Sequence, residues 1–342
     1  MRYTLLGRSG LRVSEACLGT MTFGEDWGWG ASKEESRKMF DAFVEHGGNF
    51  IDTANVYTGG TSEKFVGEFV APERDRFVLA TKYTLMTRPG DPNSAGNQRK
   101  NMVQAIEASL KRLGTDYVDL YWVHAGDGLT PIDEVMRALD DLVRAGKVLH
   151  VGVSDTPAWI VSQANTLAEL RGWSRFAAIQ IEYSLIERTP ERDLLAMARA
   201  FDLSVLAWGV IGGGVLTGKY AAGASDSKRS AANQWRTNDR NLRIGNQVMA
   251  IAKELACPPS QVAIAWVRQR SSPVLPILGA RSVGQLLENL GALELTLSVE
   301  HLALLDVAST IELGFPYDFL GLESIKTMVR GDLHTRIDAP RR

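Results

Sequence analysis

The sequence predicts an α/β fold: a (β/α)8 TIM barrel with an N-terminal β-hairpin and extra C-terminal helices. Three observations carry that reading. Eight short apolar runs, at 16–19, 50–52, 77–81, 117–123, 148–153, 176–179, 203–207 and 274–278, have strand character. Helix-like stretches separate most of them, and parallel strands need such crossover connections. Six of the runs are closed by Asp52, Lys82, His124, Ser154, Gln180 and Trp208. Ligands of parallel β/α folds meet the carboxyl ends of the strands, so these residues predict one site built from distant segments. An open doubly wound sheet is the competing architecture. It is weakened because no Gly-x-Gly-x-x-Gly follows an early strand, and Gly212-Gly213-Gly214 lacks that spacing.

The elements follow in order. A hairpin spans 3–14 and turns at Gly7-Arg8-Ser9-Gly10. Ser32 and Glu35 form a capping box, in which the hydroxyl covers a free N–H and the carboxylate reaches back. The helix they open places Met39, Phe40, Phe43 and Val44 on one face and stops at Gly47-Gly48. Ser62 is a candidate cap for the next helix. The polar loop 87–98 is long enough to belong to an active site. Thr130-Pro131 reads as a cap followed by proline at the first helical position. Residues 212–245 are rich in Gly, Ser, Asn and Arg without apolar period; they read as disordered or as a lid over the strand ends, the lid being favoured. Helices near 247–255, over 261–270 and from 283 complete the barrel. One domain covers 1–342, with the barrel at about 16–291 and a C-terminal helix and tail over 292–342. The tail's aromatic run, 314–320, predicts docking on the barrel.

Composition narrows the function. The 342 residues carry a formal net charge of −2, which lacks the signature of a dedicated nucleic-acid binder. No apolar run approaches the ~20 residues of a membrane helix, and the N-terminus lacks a signal-peptide pattern. Two cysteines, Cys17 and Cys257, read as reduced thiols of a cytoplasmic protein. The five histidines show no His-x-His or His-Glu-x-x-His pairing, which disfavours a metal-dependent hydrolase. No metal site is expected, and oligomeric state is not legible.

Asp52, Tyr57, Lys82 and His124 together make a carbonyl-polarising set. A free tyrosine, with a pKa near ~10, is an indifferent acid, and a nearby ammonium is expected to lower that value. Asp52 holds the ammonium, and His124 orients a carbonyl oxygen. No nucleophilic Ser or Cys has an evident base partner, so a hydride donor, and hence a nicotinamide cofactor, is the natural complement. Trp122 shares its strand face with Val118, Leu120 and His124 and falls one layer deeper, as core.

The chain resembles the aldo-keto reductase family over nearly its whole length. The resemblance rests on Asp52-Thr53-Ala54-Asn55-Val56-Tyr57, Ala80-Thr81-Lys82, 119–124, Gly152-Val153-Ser154, 180–184, 216–220 and Gly279-Ala280-Arg281. It implies reduction of aldehydes and ketones with NADPH, Tyr57 being the general acid, tuned by Lys82 and Asp52, and His124 positioning the carbonyl. Ser154 and Gln180 would hold the nicotinamide carboxamide and Trp208 would stack on its ring. Gly209, Val210, Ile211, Gly213 and Lys219 would run beside the diphosphate. Gly279, Arg281, Gln285, Glu288 and Asn289 would receive the adenosine end, and Arg281 suits a 2′-phosphate. Gly19, Thr20 and Met21 could face the nicotinamide. Phe23, Trp27 and Trp29, with Tyr57 and His124, would wall an apolar substrate pocket.

Two positions depart from the family. Asp155 stands where Asn is common: it either lends its charge to an oxidised nicotinamide, favouring alcohol oxidation, or caps the following helix. Gly209-Val210 replaces a frequent Ser-Pro, which loosens that loop. An NADP-binding regulatory or channel-associated subunit is the alternative function. A short-chain dehydrogenase is disfavoured because no Tyr-x-x-x-Lys includes Tyr57 or Lys82.

Overall fold

Eight parallel strands close into a barrel in the order β10-β3-β4-β5-β6-β7-β8-β9, and β1 and β2 form a separate hairpin. The computed structural model describes residues 1–220, 234–270 and 274–338. The hairpin strands are β1 (Tyr3–Leu5) and β2 (Arg12–Ser14). Barrel strands are β3 (Cys17–Gly19), β4 (Phe50–Asp52), β5 (Val78–Tyr83), β6 (Val118–Val123), β7 (Val148–Ser154), β8 (Phe176–Glu182), β9 (Ser204–Trp208) and β10 (Val274–Gly279). Each falls on an apolar run identified in the sequence.

Side chains alternate along a strand, so every second residue enters the barrel. Cys17, Phe50, Val78, Ala80, Leu120, Trp122, Ala178, Leu206 and Leu275 form that inner cluster. Val118, expected on the same face, opens β6 and packs in the outer cluster between strands and helices. Trp122 is fully buried, as its parity required. Its indole explains Gly152, which pairs with it across β6 and β7: a Cβ there would lie 2.4 Å from the ring. Leu6 and Val13 of the hairpin join the inner cluster. Gly7 N donates to Ser204 Oγ at 2.8 Å and Ser14 N to Asn49 Oδ1 at 2.7 Å, so the hairpin plugs the end where strands begin.

Outside run α1 (Lys33–Glu45), α2 (Thr61–Val70), α3 (Arg99–Leu113), α4 (Ile132–Arg144), α5 (Ala158–Arg171), α6 (Leu194–Ala200), α7 (Asp239–Glu254), α8 (Pro259–Arg268) and α9 (Val283–Leu290). After them come α10 (Val299–Ala308), α11 (Tyr317–Gly321) and α12 (Glu323–Arg330). Local competition changed several expected caps. Ser32 Oγ accepts from Glu35 N at 3.2 Å, but the Glu35 carboxylate accepts from Val283 N at 2.7 Å, joining α1 to α9. Ser62 is not a cap. Its own N–H donates to Thr58 Oγ1 at 3.1 Å, while its hydroxyl donates to Thr20 O at 2.8 Å. Thr130 does not cap α4 either, because the Asp127 carboxylate, a stronger acceptor, takes its hydroxyl at 2.6 Å.

Helix α7 begins well before the expected 247. Its polar first turn is held by tertiary contacts: Arg240 donates to Ile186 O at 3.2 Å and Ser309 O at 3.0 Å. Of the expected lid, 212–217 form a 3-10 helix, and residues 221–233 lie outside the described residues. The tail does not dock. Arg188 and Arg192 fasten the chain at Ser309 and Glu312, and beyond them Phe315 is 85% and Phe319 47% exposed. Among the described residues no helix is long and apolar enough to cross a membrane.

Candidate active site

Strand register assembles the ring. Gly19 pairs with Asp52 and Gly279, Lys82 with Trp122, Ser154 with Gln180, and Glu182 with Trp208. Tyr57 arrives from the 3-10 turn Tyr57–Gly60 directly after β4. That turn is locked by Thr58, whose backbone is left-handed (φ 47°) and whose hydroxyl donates to Phe23 O at 2.7 Å.

At the centre Lys82 is fully buried and Asp52 nearly so. The ammonium donates to Asp52 Oδ2, to Thr53 O at 3.0 Å and to the Tyr57 hydroxyl oxygen at 3.2 Å. The other Asp52 oxygen accepts from Gln180 Nε2 at 3.1 Å. Thr20 braces the same point from β3, its N–H and hydroxyl both donating to Asp52 O. A buried charge pair holds together when its remaining hydrogen-bonding capacity is satisfied, and here Thr53, Tyr57 and Gln180 supply partners.

Burial disfavours the charged form of Lys82, but Asp52 and Tyr57 more than offset it and hold its pKa above the usual value. Burial pushes Asp52 up against the pull of Lys82, Gln180 and Trp122. Tyr57 corrects a sequence expectation. Lys82 does favour the phenolate, but desolvation outweighs it and the tyrosine pKa is raised. The phenol therefore keeps its proton at neutral pH. His124 is driven down to about 3, by burial first and by Lys82 second, so its imidazole is neutral. It meets the Tyr57 ring edge-on, with centroids 5.9 Å apart, and its buried Nδ1 has no partner among the described residues.

Toward the opposite rim, Ser154 is buried and Trp208 half-buried. Asp155 does not cap α5, whose N-cap position is Pro157 without a side-chain bond. Its Oδ1 instead accepts the Trp208 indole N–H at 3.2 Å. After Trp208 the chain turns through Gly209, Val210 and Ile211. Gly212, Gly213 and Gly214 all have positive φ (59°, 64° and 99°), and a Cβ on Gly212 would lie 2.7 Å from Ile186 Cδ1. The exposed Lys219 stem passes over Gly214. Arg281 N donates to Gln285 Oε1 at 3.0 Å, while its guanidinium has no partner among the described residues. Glu288 accepts from Ser260, and Asn289 Nδ2 donates to Gly279 O at 3.5 Å. These two brace the helix and strand end that carry Arg281.

Met21, expected beside the nicotinamide, is 37% exposed; of the expected pocket wall, Trp27 is 39% exposed and packs on Trp29 with centroids 5.4 Å apart. Phe23 corrects the reading: it is fully buried against Phe69 and presents no face to the mouth.

Sequence reasoning passed over three features. Asn55 is buried, and neither amide atom has a partner among the described residues, a costly state for a polar side chain. Its signal was a polar residue two positions before Tyr57. Glu182 points inward beside Trp208 and pairs with Arg236, from beyond the loop. Asp127 takes N–H groups from Asn97, Leu129 and Thr130, which outweigh burial and bring its pKa to about 2. It thereby ties the long loop after β5 to the loop after β6, and Gly126-Asp127-Gly128 was its turn signal.

A buried lysine–aspartate pair beneath a tyrosine hydroxyl, with a neutral histidine alongside at the mouth of a closed barrel, defines an oxidoreductase-type site without a protein nucleophile. Residues 15–309 match the aldo/keto reductase family, and the chain belongs to it. It is 39% identical to norsolorinic acid reductase of Aspergillus flavus, over 92% of this chain and 83% of that protein. Identity to the aryl-alcohol dehydrogenase [NADP(+)] of Phanerodontia chrysosporium is 37%, over 91% of this chain and 86% of that protein. With the aldo-keto reductase ausK of Aspergillus calidoustus it is 32%, over 95% and 86%.

Proposed function

We propose that this enzyme interconverts an aldehyde or ketone with its alcohol using NADP(H), with Tyr57 as the general acid and base. The observation that carries the reading is a fully buried Lys82 donating to the Tyr57 hydroxyl oxygen at 3.2 Å. When bound, the nicotinamide supplies or accepts the hydride. Tyr57, protonated at neutral pH, gives its proton to the carbonyl oxygen, and Lys82, held by Asp52, stabilises the phenolate left behind. Positioned acids of this kind contribute ~10²–10⁴-fold. His124, kept neutral, donates a hydrogen bond to the same oxygen without competing for the proton. In the reverse direction the Tyr57 phenolate accepts the alcohol proton.

The residues present fit the cofactor. The positive-φ glycines at 212–214 turn the chain tightly after Trp208 and leave no Cβ in the way of a diphosphate, while the N–H groups of Gly212 and Gly214 close the turn on Gly209 O and Ile211 O. Arg281, unpaired among the described residues and beside the start of α9, suits a 2′-phosphate. Ser154 and Gln180 would hold the carboxamide and Trp208 would stack on the ring. Gly19 and Met21 would border it, and Lys219 would lie by the diphosphate.

The substrate class that this reading favours is aryl aldehydes and alcohols. Trp27 and Trp29 offer aromatic surface beside the mouth, and relatives over 90% of the chain are named for such substrates. A cytoplasmic location fits the fully buried Cys17, whose thiol is pushed well above its ordinary pKa by burial. A panel of aldehydes, ketones and alcohols assayed with NADPH and NADP⁺ tests the proposal. Aryl aldehydes are expected to be reduced fastest, and absence of turnover with every carbonyl and alcohol would refute it.

A further inference from the structure

We propose that Asp155 is a positioning residue: it clamps Trp208 by its indole N–H and biases the bound cofactor toward NADP⁺. The inference rests on the cofactor reading above and adds to it what fixes the aromatic wall. Trp208 ends β9 and lines a recess of about 370 Å³ together with Asp155, Pro157, Ile181, Glu182 and Leu194. Its indole therefore has open space on one side and room to turn. The contact that opposes such a turn is the hydrogen bond to Asp155 Oδ1 at 3.2 Å.

Asp155 is built into that position. Its backbone is left-handed (φ 40°), a conformation that most residues with a Cβ avoid. Its N–H donates to Gln180 O at 3.2 Å, and its carbonyl accepts from Gly126 N at 3.3 Å. These bonds fix the carboxylate at the end of β7, one residue beyond Ser154. The group is exposed at the mouth, ready to be covered by a ligand. Its field reaches Tyr57, whose pKa it raises, and Lys82 acts on it in turn.

Tryptophan and aspartate form a matched pair. Of Phe, Tyr and Trp, only Trp has a ring-edge N–H to donate, and either a carboxylate or an amide oxygen can receive it. An amide would serve the clamp alone. The carboxylate also carries a negative charge, which stabilises a positively charged nicotinamide ring and does nothing comparable for the neutral reduced ring. The two roles therefore separate by substitution.

The test is isothermal titration of NADP⁺ and NADPH into wild type, Asp155→Asn and Asp155→Leu, with thermal unfolding as the check on folding. Asp155→Asn keeps an acceptor for Trp208. It is expected to weaken NADP⁺ by about three- to tenfold, as loss of a part-exposed charge should, and to move NADPH less than twofold. Asp155→Leu loses the clamp as well and should weaken both nucleotides. An unchanged ratio of the two affinities in Asp155→Asn would overturn the inference while leaving the cofactor reading in place. Failure of wild type to bind either nucleotide would overturn both.

Discussion

The two sides of the barrel mouth are built differently. Around the ends of β4, β5 and β6, the Lys82–Asp52–Tyr57 group is tied by buried hydrogen bonds donated by Thr20 and Gln180 and accepted by Thr53 O. Around β9 and β10 most of the candidate cofactor residues are half-buried or exposed, the backbone runs through left-handed glycines, and Arg281 is unpaired among the described residues. The first side holds its geometry before any ligand arrives. The second presents donors and charge whose partners come with the ligand. Proton transfer needs preorganised electrostatics, whereas the phosphates bring their own charge. Stability and binding should therefore respond to mutation in opposite places.

The largest effect on folding is expected from Lys82→Met. It leaves Asp52 buried and uncompensated, and breaking one partner of a buried pair costs about 3–5 kcal/mol. Chemical denaturation measures this, and a change under 1 kcal/mol would mean that the pair is not what holds this side. A more gradual effect comes from pH. The folded-state pKa of His124, about 3, lies below its unfolded value near 6.5. Between those values the unfolded chain binds the proton and the folded chain does not. Stability must then fall as pH drops from about 6 toward 3, by up to ~1.4 kcal/mol per pH unit from this residue. The slope difference between wild type and His124→Gln isolates it. The least effect on folding belongs to Arg281→Ala, near zero in denaturation. The same change should weaken NADPH about tenfold and NADH little, since only the former carries the 2′-phosphate that a guanidinium binds. Equal losses for both cofactors would erase the contrast between the two sides.

The same contrast governs how much was legible in the sequence. The strands were legible because each is a short apolar run, and the ring was legible because six of them are closed by a polar or indole group. Parity then placed Trp122 correctly. Gly152 was opaque, since its reason lies across the sheet in Trp122. Caps failed where a side chain found a better partner from another element, as Glu35 did at Val283 and Thr130 at Asp127. The start of α7 was missed because Arg240 is held by the distant carbonyls of Ile186 and Ser309 rather than by an apolar face. Phe23 and the tail failed for a shared reason: aromatic character does not tell whether a ring meets solvent, core or ligand. The direction of the Tyr57 shift required knowing how deeply the phenol sits, which no spacing reveals.

The account turns on the Tyr57 hydroxyl as the acid, and Tyr57→Phe tests it most directly. Turnover of an aryl aldehyde and NADPH affinity should be measured on the same preparation. Removing only the hydroxyl should lower turnover about 10²–10⁴-fold while NADPH binds within twofold of wild type. A variant that retains its rate with NADPH bound would contradict the assignment.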